Sequence, residues 1–344
     1  MPLITVGIPV FNAMPYLPES LESILGQSYG DFEILAINDG STDESLEYLR
    51  SVRDRRLRVI NQENRGLTAT LNRMLAQAST PWLARHDADD VAYPNRIALT
   101  VDYINQYPAA GMFYSLADYY PNGSVGQFRT TRGTPSTIRQ LVLSGRLPAI
   151  CHPAVTLNVI KTAGAGGYRF NLHVEDIDLW WRLALREDLR LIPEVTTGVR
   201  LNLGSVSSAN LENQEVNTLY IQYLLLSHLW KRTPLSYTEA RVALMYLLDA
   251  RRLNFRAHIR AFNVALGQRK RSTALYELGR AWIASPFDFM RRASDEWIEK
   301  RTISLGESPE LFARLEKLLW PSERTPSESN TFGSEPTLTG HARL

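Results

Sequence analysis

The sequence predicts an α/β fold: a doubly wound, mostly parallel sheet followed by a C-terminal helical extension. Three observations carry that expectation. Over the first hundred residues, short apolar runs alternate with stretches of helical periodicity, as in strands joined by crossover helices. Polar residues cluster just past the ends of four of those runs. Beyond about residue 205 the periodicity is helical throughout.

Leu3–Val10 is the first apolar run and ends at Pro9-Val10-Phe11-Asn12. Leu17, Leu21, Ile24 and Leu25 then share one helical face. Phe32–Ile37 reads as a second strand, ended by Asn38-Asp39-Gly40. Ser41 and Glu44 have capping-box spacing ahead of a helix bearing Leu46, Leu49 and Val52. Leu57–Ile60 is a third strand, and Asn64-Arg65-Gly66 leads into a helix carrying Leu67, Leu71, Met74 and Leu75. Trp82–His86 is a fourth strand, ended by Asp87-Ala88-Asp89-Asp90. Ligands of doubly wound sheets bind beyond the carboxyl ends of the strands, where Asn12, Asp39, Arg65 and Asp87–Asp90 fall.

The next hundred residues are less regular. Pro94–Tyr107 reads as a helix, Gly111–Tyr120 and Val125–Arg129 as strands around a Pro121-Asn122-Gly123 turn, and Ser136–Ser144 as a helix. Ile150–Leu157 is a strand, and Glu175–Arg186 is strongly helical and aromatic. The expected organisation is a catalytic domain over 1–205, a basic helical region over 206–320, and a Ser-, Thr-, Pro- and Glu-rich disordered tail over 321–344.

Composition is that of an ordinary globular chain, with 44 % apolar and 22 % charged residues. Cys151 is the sole cysteine, which excludes an intrachain disulfide and a cysteine-based zinc site. All but five of the 38 basic residues are arginine. Charge is uneven: residues 1–230 carry net −4, 231–301 net +8 and 302–344 net −2. The basic segment suggests an anionic surface as partner, such as an anionic membrane. A solvated basic face on a small helical domain fits it equally. The N-terminus enters a strand without a basic leader, and the longest apolar candidate, Leu219–Trp230, contains Gln222, Ser227 and His228. The expected location is cytoplasmic, or peripheral at the inner face of the plasma membrane.

Two acidic motifs carry the chemistry. Asp87, Asp89 and Asp90 place three carboxylates within four residues after an apolar strand, an arrangement that a hard divalent cation relieves. The alternative is a solvated acidic turn capping the following helix. Glu175 and Asp176 open an apolar helix bearing Ile177, Trp180 and Trp181. That suggests a buried helix whose acidic end points into the protein, although acids at a helix start also complement the dipole.

Together with Ile8-Pro9-Val10-Phe11-Asn12, Asn38-Asp39-Gly40-Ser41-Thr42-Asp43, Glu63-Asn64-Arg65-Gly66-Leu67 and Gly166-Gly167-Tyr168-Arg169, these motifs resemble the family 2 glycosyltransferases of GT-A fold. The resemblance covers roughly residues 3–205. It implies donor contacts at Pro9, Asn12, Asp39, Arg65 and Asp87. Asp39 would accept a hydrogen bond from the base, and Arg65 would approach base or phosphate. It further implies a DxD pair at Asp87 and Asp89, with Asp89 in direct contact with Mn2+ or Mg2+, and Asp176 as catalytic base. Glu175 and His152 are further candidates at the site. Asn202 stands where many relatives have a metal-reaching histidine, either as a weaker ligand or as a loop-shaping residue. Arg129 and Arg132 read as solvated arginines more readily than as phosphate guides.

The function so implied is inverting, metal-dependent transfer of a single sugar from a nucleotide-diphosphate sugar to a hydroxyl of a glycan or lipid-linked acceptor, in cell-surface glycan synthesis. The processive Gln-x-x-Arg-Trp signature is absent from the sequence. Rival readings are a sugar-phosphate nucleotidyltransferase, although the expected N-terminal Gly-rich basic loop is missing, and a non-catalytic nucleotide- or nucleic-acid-binding module. The last leaves the acids of the first two hundred residues unexplained, so no nucleic-acid partner is expected.

Overall fold

The computed structural model describes residues 2–121, 127–200, 211–297 and 303–321. Asn202 and nearly all of the 321–344 segment lie outside the described residues, as do Val125 and Gly126 of the expected Val125–Arg129 strand.

One eight-stranded sheet organises the molecule, in the order β3-β2-β1-β4-β8-β6-β9-β5. The strands are β1 (Ile4–Val10), β2 (Glu33–Asp39), β3 (Leu57–Gln62), β4 (Trp82–Arg85), β5 (Val91–Ala92), β6 (Met112–Tyr120), β8 (Val155–Asn158) and β9 (Leu189–Arg200). β1 to β4 are mutually parallel, β8 runs antiparallel between β4 and β6, and β6 pairs parallel with β9. The sheet is thus mixed and parallel-dominant. Residues on β2 alternate between two cores. Ile34 and Ala36 join Ile8, Leu21 and Ile97 on one face, while Leu35 and Ile37 join Leu71, Met74 and Leu157 on the other. This is the period-two pattern of a strand covered on both sides.

Helices α1 (Leu17–Leu25), α2 (Ser45–Ser51), α3 (Leu67–Gln77), α4 (Arg96–Gln106), α5 (Pro135–Leu143) and α7 (Glu175–Arg186) fall close to their expected positions, and α6 (Val159–Gly164) is short. The capping box at α2 does not form. Ser41 Oγ instead accepts from Asn12 N (3.0 Å), and Asp43 satisfies the helix start by accepting from Ser45 N (3.1 Å). The loop after β1 competes for Ser41 and wins it.

The sequence reading missed β9. Pro193 interrupts its pattern, and the pairing with β6 is irregular just there: Ser115 faces Ile192 but Leu116 faces Val195. Proline is tolerated in a strand at such a bulge. The Ile150–Leu157 strand is shorter than expected, because His152–Ala154 forms a 3-10 turn.

The C-terminal helices include α8 (Leu211–Leu229), α9 (Tyr237–Met245), α10 (Ala250–Gly267), α11 (Arg271–Ala284) and α12 (Pro286–Trp297), with two short helices, Pro309–Arg314 and Glu316–Leu319, near the end of the described chain. Tyr220, Tyr223 and Leu226 of α8 share one buried core with Trp180 and Leu183 of α7. A second small sheet pairs β7 (Leu147–Pro148) with β10 (Ser304–Leu305), so the chain returns to its first half. No described helix is long and apolar enough to cross a membrane.

Candidate active site

A cleft of about 870 Å³ opens over the carboxyl ends of β1, β2 and β4 and is lined by Pro9, Asn12, Asp39, Gly66, Asp87 and Asp89 among others. Its walls are fixed by side-chain-to-backbone bonds. Asn12, at φ 47°, accepts from Thr42 N (2.8 Å) and so ties the loop after β1 to the loop after β2. Asp39 is buried. Its carboxylate accepts from Arg65 N (2.8 Å), Gly66 N (2.9 Å) and Gln62 Nε2 (2.6 Å). A carboxylate has about four acceptor positions, so one stays open toward the cleft. Gly40 is required here: its φ is +73°, and a Cβ would stand 2.7 Å from Asn64 N. The Arg65 side chain is exposed and does not line the cleft; its backbone is what Asp39 holds.

The acids after β4 divide by environment. Asp87 is about one-third exposed (32 %), and Arg85 Nη2 lies 2.6 Å from its Oδ1. Asp89 is half-buried and pushed up to about 6, by desolvation first and the Asp87 charge second. Asp90 is fully buried, raised by the same two causes, and accepts from Arg200 N (2.9 Å). None of the three caps α4, whose N-cap is Asn95 without a side-chain bond. Mutual repulsion between Asp87 and Asp89 is the chemistry that a divalent cation relieves. No cluster of three His, Cys, Asp or Glu side chains suited to a metal exists among the described residues. Asp87 and Asp89 are the residues here that would hold such a cation, and a bound phosphate would have to supply its other ligands.

The second acid pair sits at the start of α7. Asp178, one turn in and fully buried, receives Arg169 Nε (2.9 Å) and Arg182 Nη2 (2.8 Å). Arg182 Nη2 also donates to Gly167 O (2.6 Å). Asn72 of α3 clips the same loop by accepting from Tyr168 N (3.0 Å) and donating to Tyr168 O (2.7 Å). These bonds fix where α7 begins and hence where its acids point. Glu175 is buried (4 % exposed) and pushed up to about 8, by desolvation and then by Asp176. Asp176 is half-buried and pushed up to about 6, mainly by desolvation. Arg85 lowers both and Asp87 raises both, so the two acid pairs form one electrostatic cluster around Arg85. His152 Nε2 lies 3.0 Å from the Tyr168 hydroxyl, and burial together with Arg85 holds its imidazole neutral.

Residues 5–158 match the model of Glycosyl transferase family 2. These residues belong to that family. The Bacillus subtilis (strain 168) protein EpsE is 30 % identical over 191 residues, 53 % of this chain and 66 % of its own length. The Haemophilus influenzae (strain ATCC 51907 / DSM 11121 / KW20 / Rd) relative is 41 % identical over 108 residues, 30 % of this chain and 33 % of its own length. GlyA of Streptococcus pneumoniae (serotype 4, strain ATCC BAA-334 / TIGR4) is 38 % identical over 130 residues, 36 % of this chain and 18 % of its own length. All three carry glycosyltransferase names, and the chain spans two thirds or less of each. Among solved structures, S. aureus TarS 1-349 in complex with UDP-GlcNAc aligns with a TM-score of 0.55 at 13 % identity, over 85 % of this chain and 92 % of that one. The mannosyltransferase PcManGT of Pyrobaculum calidifontis, in complex with GDP-Man and Mn2+, aligns at 0.53 and 16 % identity, over 87 % and 88 %. The fold is that of the GT-A glycosyltransferases.

Pro9, Asn12, Asp39, Asp87 and Asp89 meet in one cleft, whereas Glu175, Asp176 and His152 lie outside its lining and share with it the charge of Arg85. The sequence reading missed Arg85, Asn171 and His173, and it also missed that Tyr168 holds His152. Arg85 was legible in principle, as an arginine inside an apolar strand two residues before an acidic run. Asn171 and His173 line the cleft from an irregular loop, which leaves no periodic signal.

Proposed function

We propose that this protein transfers a single sugar, with inversion, from a nucleotide-diphosphate sugar to an acceptor hydroxyl in cell-surface glycan synthesis. The observation that carries the reading is that the buried Arg85 pairs with Asp87 and its charge also reaches Glu175 and Asp176. In this reading the nucleoside lies between Pro9–Asn12 and Gly66–Thr70, and the open acceptor position of Asp39 faces the base. Asp89 and Asp87 would hold the divalent cation, which when bound offsets negative charge on the leaving diphosphate. Asp176 takes the proton from the acceptor hydroxyl as its oxygen bonds to the anomeric carbon. The bond from that carbon to the diphosphate breaks, and the electron pair leaves with the nucleoside diphosphate. One displacement gives one inversion. Trp180 and Trp181, both buried, keep water from the helix that carries the base. TarS and PcManGT were solved with UDP-GlcNAc and with GDP-Man and Mn2+, which supports a donor and cation of this class.

Thermal shift with UDP, GDP, ADP and CDP, each with and without Mn2+, tests the donor half of the reading, because ligands that bind the native state raise its stability. Anomeric configuration of the product by NMR tests inversion. Release of pyrophosphate instead of nucleoside diphosphate would assign the chain to the nucleotidyltransferases.

We also infer contact with an anionic membrane surface, from the exposed Leu275, Ile283, Phe287 and Met290 on α11 and α12 near Arg271 and Arg280. Flotation with anionic and neutral liposomes tests it, and equal, salt-insensitive behaviour would overturn it.

A further inference from the structure

The Asp87–Asp90 turn is gripped from outside at both ends. At its start, Asp87 O accepts from Ser20 Oγ (2.9 Å), and Asp90 N closes the turn on the same oxygen (3.2 Å). At its far end, a single residue makes two bonds. Arg200 Nε donates to Asp89 O (2.8 Å), and Arg200 N donates to Asp90 Oδ1 (2.9 Å). Strand register brings this about. β5 runs antiparallel to β9 with Val91 opposite Gly198 and Ala92 opposite Thr197. Two residues further along, the same register sets Asp89 against Arg200.

Arg200 is itself held on both faces and along its outer edge. Its guanidinium lies 4.8 Å from the centre of the Tyr16 ring and 4.9 Å from that of Tyr120. Its Nη2 pairs with Glu19 of α1, whose other carboxylate oxygen accepts from the Tyr120 hydroxyl. The side chain is only 13 % exposed. Tyr120 stands beside Arg200 because the two are partners in the β6–β9 pairing. Gly198 lets the strands come this close: a Cβ there would stand 3.0 Å from Tyr93 Oη and 3.1 Å from Tyr120 Cβ.

Anchoring the end of β9 does not require this arrangement. Pairing with β6 already holds that strand, and the bond to Asp90 comes from a backbone N–H that any residue but proline supplies. The guanidinium adds something else. Its planar fork joins Asp89 O to Glu19 at a fixed angle, which the single ammonium of lysine cannot do. Fixing a carbonyl fixes the peptide that follows it and limits the directions open to the side chain on the same residue. Asp89 and Tyr16 both line the donor cleft, so the clamp lies directly behind its wall.

We propose that Arg200 is a positioning residue: its guanidinium holds the main chain of Asp89 and so aims that carboxylate at the cation. This rests on the reading of Asp87 and Asp89 as the cation-holding pair. The test is thermal shift of the full chain at fixed UDP or GDP while Mn2+ is titrated. Arg200→Met should raise the Mn2+ concentration for half of the metal-dependent shift by about 10–100-fold, as for other residues that orient a ligand from behind. Its shift by nucleotide in EDTA should equal that of the wild type. Arg200→Lys keeps the charge beside Glu19 without the fork; it should retain the unliganded Tm and still need more Mn2+. If Arg200→Met does not fold, Arg200→Lys decides alone. A wild-type Mn2+ response in the variants overturns the proposal, whatever their Tm. So does an equal loss of shift with EDTA and with Mn2+, which would make Arg200 a support of the nucleoside cleft instead. A wild type that gains nothing from Mn2+ fails the cation reading and takes this inference with it, whereas a normal wild type with unchanged variants fails the inference alone.

Discussion

Arg85 Nη2 lies 2.6 Å from Asp87 Oδ1, while Nε and Nη1 of the same guanidinium are buried without a hydrogen-bond partner among the described residues. The charge nonetheless stays, because Asp87, Tyr168 and Glu175 hold Arg85 above its ordinary value against the cost of burial. Arg85 is thus a cation that both acid pairs feel.

Replacing Arg85 should separate stability from activity. Arg85→Met removes a buried charge with unmet hydrogen bonds, and the partner it leaves is exposed enough for water to solvate. The stability cost is expected to be small, below about 2 kcal/mol by denaturant unfolding. Sugar transfer should fall far more than that, because Asp87 loses its orientation and Glu175 holds its proton more tightly. A large stability loss with proportionate activity would show that Arg85 only supports the fold.

Asp176→Asn should reduce transfer by about 10²–10⁴-fold with near-normal donor binding, the usual range for a lost general base. Glu175→Gln should be milder. Wild-type transfer should fall as pH drops through about 6, where Asp176 takes up a proton. If Glu175→Gln abolishes transfer and Asp176→Asn does not, the base is Glu175.

The same acids predict a stability change with pH. Both have folded values above their ordinary ones, about 6 for Asp176 and about 8 for Glu175. The folded state then binds more protons than the unfolded one, so their contribution is fully present at low pH and is lost as pH rises through those values. Glu175→Gln should therefore raise Tm at pH 8.5 relative to wild type and bring little change at pH 4. An unchanged difference across pH would contradict the buried, ionisable assignment.

Asp89→Asn should abolish any Mn2+-dependent thermal shift by nucleoside diphosphate while leaving the unliganded Tm near wild type or higher. Removing one of two repelling carboxylates relieves the protein and deprives the cation. In the wild type, Mn2+ affinity should rise between pH 5 and 7 as Asp89 deprotonates. Undiminished transfer in EDTA would rule out the cation.

Asp178→Asn should cost about 3–5 kcal/mol, because two guanidiniums lose their buried counter-charge at once. Denaturant unfolding checks this. A cost near zero would mean that water enters the Arg169–Arg182 pair on substitution.

Much of the parallel half of the sheet was legible because each strand there is a continuous apolar run followed by a periodic helix. The antiparallel half was less so. β9 is broken by Pro193, and its bulge is set by its pairing with β6, which no local pattern encodes. Site residues at strand ends were legible for the same reason that the strands were. What Arg85 and Tyr168 touch was not, since it depends on elements far apart in sequence meeting around one charge. The basic C-terminal stretch was legible as charge but not as direction: helical spacing turns Arg252, Arg256 and Arg260 inward to line a cavity, whereas Arg251, Arg269, Lys270 and Arg271 stay exposed.

The pairing of Ser304–Leu305 with Leu147–Pro148 also sets an order of events. A growing chain can form β1 to β4 and their helices from neighbouring segments, but the cavity lined by Arg252, Arg256 and Arg260 has no second wall until the chain near residue 305 has been made. Closing so distant a contact is slow compared with local helix formation. During synthesis the donor cleft can therefore be complete while that cavity is still open to solvent.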